Sequence, residues 1–514
     1  MLLLLVLLLA ICIRSYGLGR PYVWGDEAFS IRMSLLPFEE IGVFASHDVH
    51  PPLYYYLLHV WMGVWGSGAI AVRALSVLLG SLAVVGCAMV VKELSDWRQG
   101  LWCGVLIAFL PVAVRYSQEA RMYALFLFFV VASLFMLIRW VKDPGSNSYL
   151  SAYALFVVCL LYTHYFAVFV IFSHWAYLVW LVVAGGGKEN YFLRRSWWLA
   201  NGVIVLMFIP WLIVMVCLFS AFDVTGSTGA FNWVPTVTLE SFPSLLWSFL
   251  ILNDGQGLKF WLFWGLPLVM LLLSVVAVCR DASELKVGAL FVLHLFVPIV
   301  TVILLSFFVP MWVVRYLAFS AVAVPVVVVV SIFALGAGGR VSILLLLVIV
   351  QLPGVYFVYQ QKDDFNYSRN AVEFPLQQIA SVVGAKSSGG DKIVVEGGVW
   401  YYSLMFYGLP DQQTLLYESD WKQNASSRPK GYGSLSLLEP VRKRVFLYDP
   451  EKLSDAAENI WWITSRSDMS ALNLPARWTQ VDAWVFGKMH VLLFRVNAPP
   501  FELRQPATQV GANR

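Results

Sequence analysis

Two adjacent carboxylates follow the first apolar run of the chain, in Trp24-Gly25-Asp26-Glu27-Ala28. A charge beside membrane hydrocarbon loses its hydration, so such residues are usually retained for a function. A carboxylate at the boundary between water and membrane can take a proton from a hydroxyl group that arrives from the aqueous side. We therefore expect Asp26 to act as a base, with Glu27 as a supporting carboxylate. Alternatively, the two carboxylates belong to a divalent-metal site, or their charges stabilise the N-terminus of a helix.

A second charged group separates two apolar runs, in Arg115-Tyr116-Ser117-Gln118-Glu119-Ala120-Arg121-Met122-Tyr123. Guanidinium groups bind phosphate oxygens through paired hydrogen bonds, and a phosphate leaving group needs such neutralisation as its bond breaks. Arg115 and Arg121 are therefore candidate phosphate ligands, as is Arg315 at the start of a later run. The alternative is that these arginines anchor the ends of spans, with Glu119 paired to Arg121.

Histidines provide a third set of candidates. His47 and His50 flank Asp48, and the backbone after His50 is stiffened by Pro51-Pro52. They could orient an acceptor or help to bind a metal ion, although such residues also occur in ordinary polar loops. His164 falls between two apolar runs, where substrate contact and a structural role in the turn are both open.

Composition indicates that these residues belong to a membrane protein. Of the 514 residues, 60% are hydrophobic and 13% are charged, and the mean hydropathy is +0.73. A membrane span needs about 20 mainly apolar residues. The sequence predicts about eleven spans, the first of them short, near 1–18, 68–91, 101–115, 122–141, 149–163, 165–184, 197–219, 260–279, 289–309, 315–335 and 341–358.

The loops between these runs predict an orientation. Basic residues fall in every second connection, near 92–98, 139–142, 188–195, 280–286 and 340. Lysine and arginine are enriched in cytoplasmic loops, so that side is predicted to be cytoplasmic. Asp26, His50, Glu119 and His164 then lie on the outer face, and eleven spans place the sequence after 358 outside the cytoplasm.

The sequence changes character near residue 358. Short β-rich runs near 392–395, 414–417, 444–448, 461–464 and 491–496 alternate with segments such as 368–380 that suit a helix. We therefore expect a transmembrane catalytic domain at 1–358 and an extracytoplasmic α/β domain at 359–514. The first outward loop, 19–66, is expected to carry interfacial helices at 27–38 and 53–65.

Charge and cysteine usage narrow the classes of partner. The net charge of +4 is distributed over short loops, which argues against a nucleic-acid partner and in favour of membrane lipids. All six cysteines lie in apolar runs without CxxC spacing, so neither a disulfide framework nor a cysteine metal site is expected.

Several of these motifs occur together in one known family. They are Gly25-Asp26-Glu27, His50-Pro51-Pro52-Leu53, Ser117 to Tyr123, Thr163-His164-Tyr165 and Arg315-Tyr316. In this order and on one predicted side of the membrane, they resemble the C-type (GT-C) membrane glycosyltransferases over about residues 10–330. The branch that is most similar contains bacterial relatives of protein O-mannosyltransferases and of lipid A aminoarabinose transferase.

The resemblance implies a polytopic α-helical membrane protein of GT-C type in a bacterial inner membrane. It also implies inverting transfer of a sugar from a polyprenyl-phosphate donor, with Asp26 as catalytic base and Glu27 as the second member of the pair. Arg121 and Arg315 match positions that contact donor phosphate. A divalent ion, if one is bound, would be held by Asp26 and Glu119. Tyr123 falls in the matching motif as a supporting residue.

Three hypotheses follow. The first is a glycosyltransferase that acts on a hydroxyl of a lipid, glycan or protein acceptor at the outer face. The second is a transporter or flippase of lipid-linked glycans, which would bind the same headgroup without breaking a bond. Transport predicts inverted repeats and broken helices at mid-membrane, and the sequence indicates neither. The third is a polymerase or ligase with an oligosaccharide diphosphate donor.

Overall fold

The computed structural model describes residues 1–184, 190–221, 234–336, 338–362, 369–421, 433–453, 458–468, 472 and 474–496. The helices in the first half are α1 Leu2–Ser15, α2 Gly25–Ser34, α3 Phe38–Ala45, α4 Leu53–Trp65, α5 Ala69–Leu94, α6 Trp97–Ala108, α7 Pro111–Ser117, α8 Tyr123–Lys142, α9 Asn147–Leu161, α10 Ala167–Ala184 and α11 Arg195–Ala221. Those in the second half are α12 Ser241–Ile251, α13 Phe260–Cys279, α14 Val287–Ser306, α15 Val314–Leu317, α16 Ala323–Ala334, α17 Arg340–Gln360, α18 Leu376–Lys386, α19 Gly398–Phe406 and α20 Arg442–Val445. Short 3-10 helices lie at Tyr191–Leu193, Ala318–Val322, Gly433–Val441 and Pro450–Leu453.

Helices underlie all eleven predicted apolar runs. Within the described residues, eight helical segments are long and apolar enough to cross a membrane, if Val314–Ala334 is counted as one. The bent pair α6 and α7 makes a ninth, while α1 and α9 are shorter apolar helices. The chain is therefore a multi-pass membrane protein. The short apolar helix α12 lies between two of the predicted runs, 197–219 and 260–279.

One predicted run, 101–115, is formed by the bent pair α6 and α7 rather than by one helix. The axes of α6 and α7 differ by 62° across a gap of two residues. Pro111 is the first residue of α7, where the missing N–H of proline costs no hydrogen bond and its fixed φ favours helix initiation. Pro111 therefore starts a new helix, and this helix leads into the charged segment that follows.

Contacts divide the chain into two units. The first contains 1–18 and 50–367, and the second contains 19–49 and 368–514. The C-terminal part of the second unit begins at 368, whereas the predicted boundary is 358/359, and the segment 19–49, which was predicted to be an outward loop, packs with it. Of the helices expected in that loop, the second spans Leu53–Trp65 as predicted. The first corresponds to α2, which ends at Ser34, and a further helix, α3, begins at Phe38 after Pro37.

The second unit contains a six-stranded sheet. Its strands are β1 Lys392–Glu396, β2 Thr414–Tyr417, β3 Phe446–Leu447, β4 Asn459–Thr464, β5 Trp478–Phe486 and β6 Met489–Val496. The order is β3-β2-β1-β4-β6-β5, with β1 to β4 parallel and β6 antiparallel to both β4 and β5. The predicted α/β domain is thus confirmed. The helix expected at 368–380 begins only at Leu376, directly after Pro375.

Helix α2 packs against α19 inside the second unit. A Cβ atom on Gly25 would lie 2.8 Å from the Val399 carbonyl oxygen, so the helices approach too closely there for any side chain. The Val23 amide donates a hydrogen bond of 2.9 Å to the Tyr407 hydroxyl. The segment that carries the predicted base is therefore held by C-terminal residues.

Candidate active site

The position of α7 is fixed by Arg14, a fully buried residue at the end of α1. Its guanidinium donates to the carbonyl oxygens of Ile107 and Ala108 at the end of α6, at 3.3 and 3.0 Å, and to the Ser117 hydroxyl at 3.2 Å. The last carbonyl groups of a helix lack partners within that helix, and a cation satisfies both their hydrogen bonding and the helix dipole. Arg14 therefore stabilises the break that presents the 115–123 segment.

Two further contacts hold the same segment against the end of α1 and against α5. The Gln118 side-chain amide donates to the carbonyl oxygens of Arg14 and Tyr16, at 2.9 Å each. Gly80 of α5 faces the Ser117 hydroxyl so closely that a Cβ atom would overlap it. The charged residues that flank Ser117 and Gln118 are thus held on a packed support.

Arg115 and Glu119 form a buried ion pair. The nitrogen-to-oxygen distance is 2.5 Å, and the two side chains are 3% and 1% exposed. This pairing of Glu119 with Arg115, one helical turn earlier, was not predicted from the sequence. The Arg115 guanidinium also lies 5.7 Å from the centre of the Tyr116 ring. Neither arginine of this segment is a solvent-exposed anchor, since Arg121 is only 2% exposed.

His164 lies in the tight turn between α9 and α10 and is 5% exposed. Its Nδ1 atom accepts a hydrogen bond of 3.1 Å from the Phe166 amide. An atom that accepts from an amide carries no proton, so the proton of the neutral ring is on Nε2. That Nε2–H group is buried and has no hydrogen-bond acceptor among the described residues. Burial, together with the charges of His50, Arg121 and Arg315, lowers the pKa of His164 well below its usual value.

Several predicted residues of the first unit lie around His164. Its ring centre lies 5.9 Å from that of His50, 6.3 Å from that of Tyr123 and 5.1 Å from that of Tyr316. The Arg315 guanidinium lies 5.5 Å from the Tyr316 ring. We call His50, Arg121, Tyr123, His164 and Arg315 the His164 cluster.

Backbone contacts explain why residues so distant in sequence meet. The amide of Leu53, the first residue of α4, donates to the Tyr162 carbonyl at 3.1 Å, which brings the start of α4 to the end of α9. A small pocket of about 20 Å³ lies beside Tyr123 and Arg315, and this is room for about one water molecule. A phosphate group at this point would require a neighbouring side chain to move.

Asp26 and Glu27 lie in the first turn of α2, in the second unit. Asp26 is the only residue of 21–31 that is not buried, whereas Glu27 is fully buried. Burial raises the pKa of Tyr22. The positive charge of Arg369 lowers this pKa and the negative charge of Glu27 raises it, so both charges act on the same phenol. Of the two carboxylates, Asp26 is therefore the one that solvent reaches.

Among the residues that the structure describes, no group of three or more His, Cys, Asp or Glu side chains could hold a metal ion. Glu119 is paired with Arg115, and Asp26 belongs to the other unit. The divalent ion expected at Asp26 and Glu119 therefore stays a prediction, and no step proposed below runs through a metal.

Sequence reasoning missed three contributors to this region. Arg14 acts on carbonyl groups more than 90 residues away, and no local pattern signals such a contact. Gln118 was quoted only as part of a motif, although it ties α7 to the end of α1. Tyr316 followed a candidate arginine, and its aromatic type was the one signal that could have identified it as a partner for His164.

A family model matches part of the chain. Residues 49–214, about a third of the sequence, match the model described as dolichyl-phosphate-mannose-protein mannosyltransferase. This match includes His50, Arg115, Glu119, Arg121, Tyr123 and His164. No curated protein matches the chain in sequence.

Solved structures match nearly the whole chain. ArnT from Cupriavidus metallidurans in the apo state has 13% identity and a TM-score of 0.63, over 95% of this chain and 97% of that chain. The same protein bound to undecaprenyl phosphate has 12% identity, a TM-score of 0.63 and the same coverage. The oligosaccharyltransferase AglB from Archaeoglobus fulgidus, in complex with an inhibitory peptide and a dolichol-phosphate, has 13% identity and a TM-score of 0.51, over 90% of this chain and 69% of that chain.

These matches confirm the resemblance and the fold that were predicted from the sequence. The chain has the GT-C fold, a polytopic helical membrane region with a C-terminal α/β domain.

Proposed function

We propose that this chain is a membrane glycosyltransferase that moves a sugar from a polyprenyl-phosphate donor to a hydroxyl group, with inversion, at the outer face of a bacterial inner membrane. The family model supports transfer from a polyisoprenoid-phosphate sugar. ArnT and AglB, which have the same fold, are described with undecaprenyl phosphate and with a dolichol-phosphate. The acceptor class is a lipid, a glycan or a protein.

The observation that carries the proposal is the His164 cluster. Arg121 and Arg315 act electrostatically on one buried histidine, and Arg121 is itself buried. Removing a guanidinium group from water costs several kcal/mol unless compensating groups surround it. A site that repeatedly binds and releases a phosphate dianion uses such groups, because they neutralise charge that increases as the sugar–phosphate bond breaks.

The cluster combines charged and neutral donors. Arginine provides two parallel hydrogen bonds to phosphate oxygens, and the Nε2–H of His164 adds a donor without a further positive charge. Because the pocket beside Tyr123 and Arg315 holds about one water molecule, donor binding in this region requires a side-chain rearrangement.

In the proposed reaction, Asp26 accepts the proton of the acceptor hydroxyl. The hydroxyl oxygen attacks the anomeric carbon from the face opposite the phosphate, and the bond between that carbon and the phosphate oxygen breaks. The electron pair leaves with the polyprenyl phosphate, whose charge Arg121, Arg115 or Arg315 stabilises. Glu27, which is fully buried beside Asp26 in the first turn of α2, is the supporting carboxylate.

The test is sugar transfer from a radiolabelled polyprenyl-phosphate sugar by the purified full-length chain in detergent. Asp26→Asn preserves the shape of the side chain and removes the base, so transfer should fall by about 100- to 10,000-fold while donor binding is kept. Glu40→Gln, an exposed carboxylate of the neighbouring helix α3, is the matched control and should transfer sugar as the parent does. Equal transfer by Asp26→Asn and the parent would remove Asp26 from the mechanism.

A further inference from the structure

An apolar groove of about 600 Å³ lies at the end of the helical bundle opposite the His164 cluster. One wall is α1, which contributes Leu2, Leu5, Val6 and Leu9. These positions recur at i, i+3, i+4 and i+7, the spacing of a single helix face. The groove therefore follows a regular helix face over about 10 Å, since seven residues rise about 1.5 Å each.

The opposite wall is α6, with the same spacing. Its lining residues are Arg98, Leu101, Trp102 and Val105. The length of about 10 Å corresponds to a third of the hydrocarbon thickness of about 30 Å. Two parallel apolar faces of this length fit the part of an acyl chain that lies nearest to its headgroup.

The charged residues of the groove are two arginines. Arg98 is in the first turn of α6 and Arg340 begins α17, and both line the groove. The Arg340 guanidinium lies 5.2 Å from the Phe333 ring, which is another lining residue. Neither guanidinium forms an ion pair with a carboxylate in the described part of the chain. The neighbouring Asp96 caps α6 by accepting the amides of Arg98 and Gln99, at 2.7 and 3.0 Å.

The N-terminus of α17 adds to the positive potential. Its N-cap is Gly339, which has a φ of 76° and provides no side-chain cap. The first amides of a helix carry partial positive charge, and a 21-residue helix presents the full effect of the dipole. One end of the groove is thus positive, while its length is apolar.

We propose that this groove binds an anionic glycerophospholipid. One acyl chain lies between the faces of α1 and α6, and the phosphate is held by Arg98, Arg340 and the first turn of α17. A zwitterionic headgroup fits less well, because its own ammonium group would be placed among positive charges. Basic pockets between helices on the cytoplasmic side of membrane proteins bind anionic headgroups in this way. The proposal does not depend on the enzymatic activity proposed above.

The experiment is native mass spectrometry of the full-length chain in detergent, titrated with phosphatidylglycerol or with phosphatidylcholine of the same acyl chains. Phosphatidylglycerol should bind more tightly. A basic residue near an anionic lipid surface is worth about fivefold in affinity, so Arg98→Gln with Arg340→Gln should weaken phosphatidylglycerol binding by about 30-fold.

Two control variants separate the groove from general surface charge. Arg195→Gln with Arg280→Gln removes the same charge from exposed residues at the same end of the bundle, outside the groove, and should leave binding unchanged. Leu5→Trp fills the groove from a side chain that is already 55% exposed and should weaken binding while both arginines remain.

Three outcomes would overturn the proposal. Equal affinity for the two lipids would mean that the groove does not select charge. An equal loss in the Arg195 and Arg280 control would assign the effect to the surface potential of the protein. A greater loss of undecaprenyl phosphate binding than of phosphatidylglycerol binding in the Arg98 and Arg340 double variant would mean that the proposed occupant is wrong.

Discussion

The tautomer of His164 gives the sharpest test of the candidate site. Its Nδ1 accepts the Phe166 amide, and its buried Nε2–H is the atom proposed to reach the donor phosphate. Two conservative substitutions separate these atoms. The side-chain oxygen of asparagine falls near the position of Nδ1, whereas the amide nitrogen of glutamine reaches that of Nε2. His164→Asn therefore keeps the acceptor for the Phe166 amide and loses the N–H group that would reach the phosphate. His164→Gln keeps that N–H group and loses the acceptor.

The magnitudes follow from the kind of hydrogen bond that is lost. A hydrogen bond to a charged group contributes about 1.5–3 kcal/mol, so His164→Asn should lower kcat/KM for the polyprenyl-phosphate sugar by about 10- to 150-fold. Its thermal midpoint should stay close to that of the parent. His164→Gln leaves the buried Phe166 amide without an acceptor, which costs about 1–3 kcal/mol of stability, and should retain most of the donor affinity.

The pH dependence of stability provides a second measurement. Burial, His50, Arg121 and Arg315 lower the pKa of His164 in the folded chain, while an unfolded histidine has a pKa of about 6.5. A buried histidine that stays neutral makes its full contribution to the free energy of unfolding above pH 6.5. Below pH 6.5 this contribution is lost by about 1.4 kcal/mol per pH unit. His164→Asn should remove this part of the slope between pH 6.5 and 5.

The assay is sugar transfer with varied donor concentration, together with a thermal melt of each variant at several pH values. Donor kinetics of His164→Asn equal to those of the parent would refute the role of Nε2–H. A large loss of stability in His164→Asn would refute the assignment of Nδ1 as the acceptor.

Three further predictions concern charge and packing around the two units. Arg315→Gln should weaken equilibrium binding of undecaprenyl phosphate by about 10- to 150-fold, measured against Arg195→Gln, which should bind it as the parent does. Gly80→Ala should lower the thermal midpoint and kcat together, because the new methyl group overlaps the Ser117 hydroxyl and displaces α7; an unchanged melt would contradict the packing described. Tyr407→Phe removes the acceptor of the buried Val23 amide and should cost about 1–3 kcal/mol in a thermal melt, with a fall in kcat if the N-terminal end of α2 shifts.

Much of the fold was predictable because it depends on local patterns. A membrane span is a continuous apolar run, and each of the eleven runs contains a helix. The alternation in the tail likewise identified five of the six strands. The sixth, Trp478–Phe486, has a mixed pattern with seven consecutive residues that are not buried. It lies at the edge of the sheet, where only one neighbour constrains it.

What was missed depends on contacts between distant parts of the sequence. Arg14 lies in the short first apolar run, and its hydrogen bonds to Ala108 and Ile107 close the break before Pro111. The break itself could have been predicted from Pro111, because proline favours the first turn of a helix. The assignment of 19–49 to the C-terminal unit could not have been predicted, because the close approach of Gly25 to Val399 produces no sequence pattern in either segment.

This discontinuous second unit has a consequence for biosynthesis. Val399 follows Gly25 by 374 residues, from 399 minus 25. At about 5–20 residues per second, the ribosome takes about 20 to 75 s to cover that distance. Throughout this interval α2 lacks its packing partner α19, while the spans between the two helices are already being inserted. A polypeptide released before residue 399 would therefore contain most of its membrane helices and yet hold Asp26 on an unsupported segment, so that competence for catalysis is acquired only near the end of translation.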